Sequence, residues 1–144
     1  MKLAIIDFNR TIYDPEAGML MPGARAMLAA LKERMPVVLV SKNEPGRPGA
    51  LDMLGIRHFF AEVIFTEKKS AELFREIIHR HRSLPRETYV IGDYIYEEIT
   101  HGNVVGAKTI RFKNGKFAHC TPERSEEQPW QTVTALSEVE AFAK

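Results

Sequence analysis

The chain reads as one three-layer, Rossmann-like α/β domain built around a mainly parallel sheet. Three observations predict it. Apolar or β-branched runs of strand length at residues 3–6, 37–40 and 88–91 are continuous, not alternating, as in strands covered on both faces. Segments with helical spacing of apolar residues separate these runs, the alternation that parallel strands with crossover helices require. A length of 144 residues suits a single core without disulfides or a structural metal, so residues 1–144 are read as one domain.

The first strand is residues 2–6, after which Pro15 and Gly18 suit a tight turn or small hairpin. Pro22 and Gly23 open a helix over 24–35, with Met27, Leu28 and Leu31 on one face and Arg25, Lys32 and Arg34 on the other. The second strand, from Val37 to Val40, ends at Ser41. A loop holding Pro45, Gly46, Pro48 and Gly49 leads into a short helix near 50–54, stopped by Gly55. Residues 59–65 supply the third strand. Thr66 caps the next helix, whose apolar face is Leu73, Phe74, Ile77 and Ile78; its basic end at 79–82 is a favourable place for cations. Residues 88–91 form the fourth strand, 96–103 a helix and 108–112 a fifth strand. Asn114-Gly115 is a hairpin-turn signal with 116–120 as its returning arm. A polar loop at 121–128, an apolar anchor at Trp130 and a helix near 136–142 complete the chain.

Composition narrows the function classes. The formal net charge is +1, which gives no electrostatic case for nucleic acid or an anionic membrane surface. Cys120 is the single cysteine and cannot form an internal disulfide, and a strand pattern stands where a signal peptide would lie. A cytoplasmic protein is expected. No apolar run approaches the length of a membrane span. The five histidines show no zinc-site spacing; His79 and His81 lie two apart on a helix and point in different directions.

The most informative stretch is Asp7-Phe8-Asn9-Arg10-Thr11, directly after the first strand. A carboxylate there leaves the buried layer at the carboxyl edge of the sheet, where open α/β folds bind their ligands. Alone, Asp7 could cap a turn. Three companions stand at comparable places: Ser41 at the end of strand two, Lys68-Lys69 at the start of the helix after strand three, and Gly92-Asp93 after strand four, with Glu98 beyond. In that order and setting they resemble the four motifs of the haloacid dehalogenase-like (HAD) hydrolases, over residues 1–112. The resemblance implies that Asp7 is a nucleophile, that Ser41 and Lys68 bind phosphate, and that Asp7, the backbone carbonyl of Asn9 and Asp93 hold Mg²⁺. Thr11 and Glu98 support the loop and the metal. Between the two lysines, alignment with the family's Lys-Pro-x-Pro-type segment selects Lys68.

These residue types suit phosphoryl transfer. A carboxylate forms an aspartyl phosphate and divides one hard displacement into two easier ones. A hydroxyl and an ammonium hold the phosphoryl oxygens. Mg²⁺ takes hard oxygen ligands, few of them from protein. Asn9 departs from the family's Asp-x-Asp-x-Thr pattern, because an amide cannot exchange a proton near neutral pH as the second Asp does. General acid–base help of this kind is worth about 10² to 10⁴ in rate. Three functions follow as expectations: a Mg²⁺-dependent phosphatase or phosphotransferase that favours activated substrates such as acyl phosphates; a catalytically impaired pseudoenzyme that binds a phosphorylated ligand or a protein partner; or a dehalogenase. Neither stretch between the motifs has room for a cap domain, so an open site is expected, with a phosphorylated small molecule or macromolecule as substrate and a homo-oligomer as one way to supply walls.

Overall fold

The computed structural model describes residues 1–144. Strand β1 (Leu3–Ile6) is followed by a hairpin of β2 (Tyr13–Asp14) and β3 (Met19–Leu20). Then come helix α1 (Ala24–Arg34), β4 (Val37–Lys42), α2 (Arg47–Met53), β5 (Glu62–Thr66), α3 (Ala71–Arg80) and β6 (Thr88–Gly92). A π-turn over Ile95–Ile99 runs into α4 (Thr100–Val104), and β7 (Lys108–Phe112), β8 (Gln131–Val133) and α5 (Val139–Phe142) finish the fold. The main sheet has the order β5-β4-β1-β6-β7-β8 and every pairing in it is parallel. No helix is long and apolar enough to cross a membrane.

Alternate side chains of the strands face opposite layers. Ala4, Ile6, Val37, Leu39 and Ile91 pack with Met27, Leu28 and Leu31 of α1, whereas Leu3, Ile5, Val38, Val40 and Val90 meet Phe74, Ile77 and Ile78 of α3. Both faces are covered, so neither parity of strand residue is polar. Burying each Leu, Ile or Phe side chain contributes about 1.5–3 kcal/mol, before conformational entropy is charged against it. The basic face of α1 also has structural work. Arg25 donates to the carbonyls of Leu54 and Gly55 at 2.7 and 3.1 Å, and Arg34 donates to those of Glu140 and Ala143 at 2.9 and 3.1 Å, satisfying helix-end groups of α2 and α5.

Three sequence expectations need correction. Ser70, not Thr66, caps α3: its hydroxyl accepts from the Leu73 amide at 3.1 Å, while Thr66 closes a local turn with Lys68. Asn114-Gly115 does not form a hairpin. A type I′ turn needs positive φ at both positions, but Asn114 is extended and only Gly115, at φ 66, is left-handed. Asn114 instead donates its side-chain amide to the Arg10 carbonyl at 2.7 Å, and Arg111 binds the carbonyls of Phe117, Ala118 and Cys120, so the segment turns across the sheet edge. The sixth strand, β8, lies where only a loop and an anchor are expected. At three residues, Gln131–Val133, it is too short to show a period.

The connection order positions the site. From β1 the chain moves outward to β4 and β5, then crosses over to β6 on the other side of β1. The carboxyl ends of β4, β1 and β6 therefore surround a topological switch point, the place where α/β sheets open a crevice.

Candidate active site

Asp7, Ser41 and Asp93 follow or end β1, β4 and β6, and they line one cleft of about 230 Å³. The Asp7 amide continues the β1–β6 ladder to the Ile91 carbonyl at 3.1 Å, so its side chain is fixed by the sheet itself. Thr11 is fully buried and donates its hydroxyl to Asp7 Oδ2 at 3.3 Å. Asn9 lines the cleft with its side-chain oxygen buried and without a hydrogen-bond partner. Ser41 accepts from Arg47 Nη1 at 2.6 Å.

Of the adjacent pair Lys68-Lys69, the one in the cleft is Lys69. Its side chain is buried and its ammonium donates to Asp7 Oδ1 and, at 2.5 Å, to Glu98 Oε1. Lys68, expected from the sequence to bind phosphate, is exposed and does not line the cleft. The local cause is the turn that Thr66 closes on Lys68, followed by the Ser70 cap. Lys69 is the residue directly before the cap and turns inward. Its cost near a helix N-terminus is offset by the two carboxylates it meets.

Glu98 is drawn in more fully than the sequence suggests. It is 3% exposed, and it belongs to the π-turn, whose wider winding brings its side chain over Gly92. A Cβ on Gly92 would lie 2.6 Å from Glu98 Cγ, so only glycine admits this approach. Asp7, Asp93 and Glu98 each place a carboxylate oxygen within 4.8 Å of the others. Burial, reinforced by the charges of Asp7 and Glu98, pushes the Asp93 carboxyl up to about 9. Burial and Asp7 push Glu98 up to about 7 against the pull of Lys69. Burial acts to lower Lys69, but the charges of Asp7 and Glu98 outweigh it and hold the ammonium above its ordinary range.

The donor set fits a hard divalent cation. Asp93 Oδ2, Glu98 Oε2 and the Asn9 side-chain oxygen are all buried and unpartnered, and two of these belong to the three-carboxylate cluster. Unpaired buried oxygens are costly, and a dication beside them removes both the orphaning and the mutual repulsion.

Two further basic residues were not singled out from the sequence. Arg47, 8% exposed, joins Ser41 to Glu44 Oε2 at 2.7 Å and sits 4.5 Å from the Phe8 ring centroid. A signal for it existed: an arginine in the first helical turn opposes the helix dipole. Arg10 lines the other side with φ 60, a left-handed conformation uncommon outside glycine. It faces Phe117, which stacks on Tyr94 with centroids 4.0 Å apart. The turn at Gly115–Phe117 thus walls the cleft from within the same chain. The histidines stay outside it, and His81 and Arg80 pair with Glu62.

Comparison with known proteins finds likenesses in sequence and in fold. Over 81 residues the chain is 32% identical to a glyceraldehyde 3-phosphate phosphatase of Methanopyrus kandleri, covering 53% of this chain and 35% of that protein. Over 112 residues it is 29% identical to the protein of the same name from Pyrococcus furiosus, covering 73% and 47%. The chain therefore spans a third to a half of the length of these curated relatives. Among solved structures, a haloacid dehalogenase-like family hydrolase of Streptococcus pneumoniae superposes with a TM-score of 0.79 at 14% identity, covering 100% of this chain and 99% of that one. The HAD-hydrolase YfnB of Bacillus subtilis, bound to magnesium, gives 0.74 at 20% identity, covering 90% and 58%. These likenesses share the fold. A family profile described as HAD-hydrolase-like matches residues 66–139, the half that carries Lys69, Asp93 and Glu98. On that match and the fold, the chain belongs to the HAD-hydrolase-like family.

Proposed function

We propose that this protein is a Mg²⁺-dependent phosphatase or phosphotransferase that works through an aspartyl phosphate on Asp7. The observation that carries the reading is the convergence of Asp7, Asp93, Glu98 and Lys69 in one cleft at the switch point of the sheet. Asp7, the Asn9 backbone carbonyl and Asp93 would hold the metal, with Glu98 close enough to bind directly or through water. When bound, the ion supplies charge neutralisation to the phosphoryl oxygens.

The chain's own residues do the rest. Asp7 Oδ attacks phosphorus as the bond to the leaving oxygen breaks, and the leaving group departs with that electron pair. Ser41, steadied by Arg47, and Lys69 in place of Lys68 hold the phosphoryl oxygens. Lys69 already pairs with Asp7 and so offsets charge on both partners of the attack. Asn9 has no proton to give, so a leaving group stable as an anion is favoured, an acyl phosphate above an alkyl monoester. Water then attacks the aspartyl phosphate and loses its proton to solvent or to the departing phosphate. The names of the archaeal relatives make a small phosphorylated metabolite the natural substrate class. An oligomer that adds a further wall is compatible with this reading, and sedimentation at working concentration tests it.

The deciding experiment is Mg²⁺-dependent phosphate release from acetyl phosphate and from a plain alkyl phosphomonoester, with wild type and Asn9→Asp in parallel. Wild-type cleavage of acetyl phosphate, with the monoester gained by Asn9→Asp, supports the proposal. The buried amide at Asn9 favours one competing reading, a phosphate-binding module without turnover. Phosphate binding with no release from either protein would select it. The dehalogenase reading has less support, because the Asp93–Glu98 pair suits a cation.

A further inference from the structure

We infer that Arg10 and Lys116, both over the Phe117 ring, form an anion subsite in the cleft, and that the substrate carries a second negatively charged group beyond the transferred phosphoryl. This rests on the phosphoryl-transfer reading of the same cleft and adds the substrate's other end.

The cations of the cleft divide into two sets. Lys69 meets Asp7 and Glu98, Arg47 meets Glu44, and Lys42 lies 3.4 Å from Glu97. Arg10 and Lys116 have no carboxylate within salt-bridge distance, yet both line the cleft. They share one aromatic ring, with the Arg10 guanidinium 5.5 Å and the Lys116 ammonium 5.0 Å from the Phe117 centroid. Phe117 is in turn stacked on Tyr94, the neighbour of Asp93 in the chain. The platform is thereby tied to the carboxylate cluster.

Arg10 is also built in at some cost. Its backbone sits at φ 60, where glycine is the undemanding residue, and the Asn114 side chain holds its carbonyl at 2.7 Å. Its Nε is buried without a partner. A side chain kept at a glycine-like position, lining a polar cleft and with no carboxylate partner, has the features of a ligand contact. Lys116 and Phe117 come from the turn that departs from the expected hairpin, and that departure is what brings them to the cleft. Arg10 and Lys116 line the same cleft as Asp7, Asp93 and Glu98, so the second anion and the transferred phosphoryl belong to one molecule.

Binding of non-hydrolysable phosphonates tests the subsite without turnover. With saturating Mg²⁺, dissociation constants are measured by calorimetry for 3-phosphonopropionate and for its neutral isostere 3-phosphonopropionamide, on wild type, Lys116→Met and Arg10→Gly. Glycine relieves the φ 60 position, so folding of that variant is protected. The carboxylate should bind wild type about tenfold or more tighter than the amide, and each variant should bring that ratio towards one. Equal affinities in wild type, or a ratio untouched by both variants, would overturn the subsite while leaving the phosphate pocket intact. Failure of both ligands to bind would overturn the pocket reading and the subsite together.

Discussion

Replacing Lys69 with Met removes the one cation that sits between Asp7 and Glu98 and leaves three buried carboxylates within 4.8 Å of one another. At an effective dielectric of about 20, two charged carboxylates at that separation repel by about 3.5 kcal/mol. Protonation of Asp93, whose carboxyl is already pushed up to about 9, limits the accumulated repulsion. The net loss should then match that of a broken buried ion pair, about 3–5 kcal/mol, or roughly 6–20 °C in Tm for a chain of this size. Urea unfolding at pH 8 in EDTA measures it, with Lys68→Met as the control that stays within about 0.5 kcal/mol. Carboxylates with raised folded-state pKa values contribute stability below their unfolded values and lose it as pH rises through the folded ones. The deficit of Lys69→Met should therefore shrink at pH 5, and Mg²⁺ at pH 8 should recover part of it. A Lys69→Met protein as stable as wild type at pH 8, or a Lys68→Met protein that is the less stable of the two, would refute the placement of Lys69 between the carboxylates.

Further outcomes are expected from pH and from two other substitutions. In EDTA the wild type should lose stability as pH rises from about 4 towards 9, because Asp93 unfolds into water where its carboxyl ionises near 3.8. Asp93→Asn should flatten that slope and abolish the stabilisation by Mg²⁺, which amounts to about 2.7 kcal/mol at a hundredfold excess over Kd; thermal melts across pH with and without Mg²⁺ check both. Gly92→Ala should cost about 1–3 kcal/mol by denaturant unfolding, because its Cβ would meet Glu98 Cγ at 2.6 Å, and should weaken Mg²⁺ binding by displacing that carboxylate.

What could be read in the sequence was whatever a strand end dictates. Asp7, Ser41 and Asp93 leave apolar runs whose direction and burial follow from composition, so their meeting at one sheet edge was legible in a single chain. Lys69 was not, because adjacent lysines differ only by which way a turn faces, and Thr66 and Ser70 decide that through hydrogen bonds with no period. Glu98 was picked out in the sequence as a supporting residue, but its full burial depends on a π-turn and on the bare backbone of Gly92. The Asn114-Gly115 signal failed because two tertiary contacts, Asn114 with the Arg10 carbonyl and Arg111 with three carbonyls, overrode local turn chemistry. Arg47 carried only a weak signal, a cation in a first helical turn, and Arg10 stood inside the motif itself; the contacts that bring them to the cleft, with Ser41 and with Phe117, have no pattern in the sequence.

The π-turn also bears on how this site can vary. An extra residue inside an ordinary α-helix rotates everything after it by about a quarter turn or more, which would carry α4 off its seat. That seat is tight, since a Cβ on Gly102 would come within 2.6 Å of Thr109 Cγ2 and 3.1 Å of Val90 Cβ. By winding one residue wider before Thr100, the turn lets the reach from Asp93 to Glu98 lengthen while the glycine contact stays in register. The spacing of the carboxylates and the packing of the helix beneath them are thus separately adjustable, and a one-residue change between Tyr94 and Glu98 can retune the pocket without rebuilding the domain.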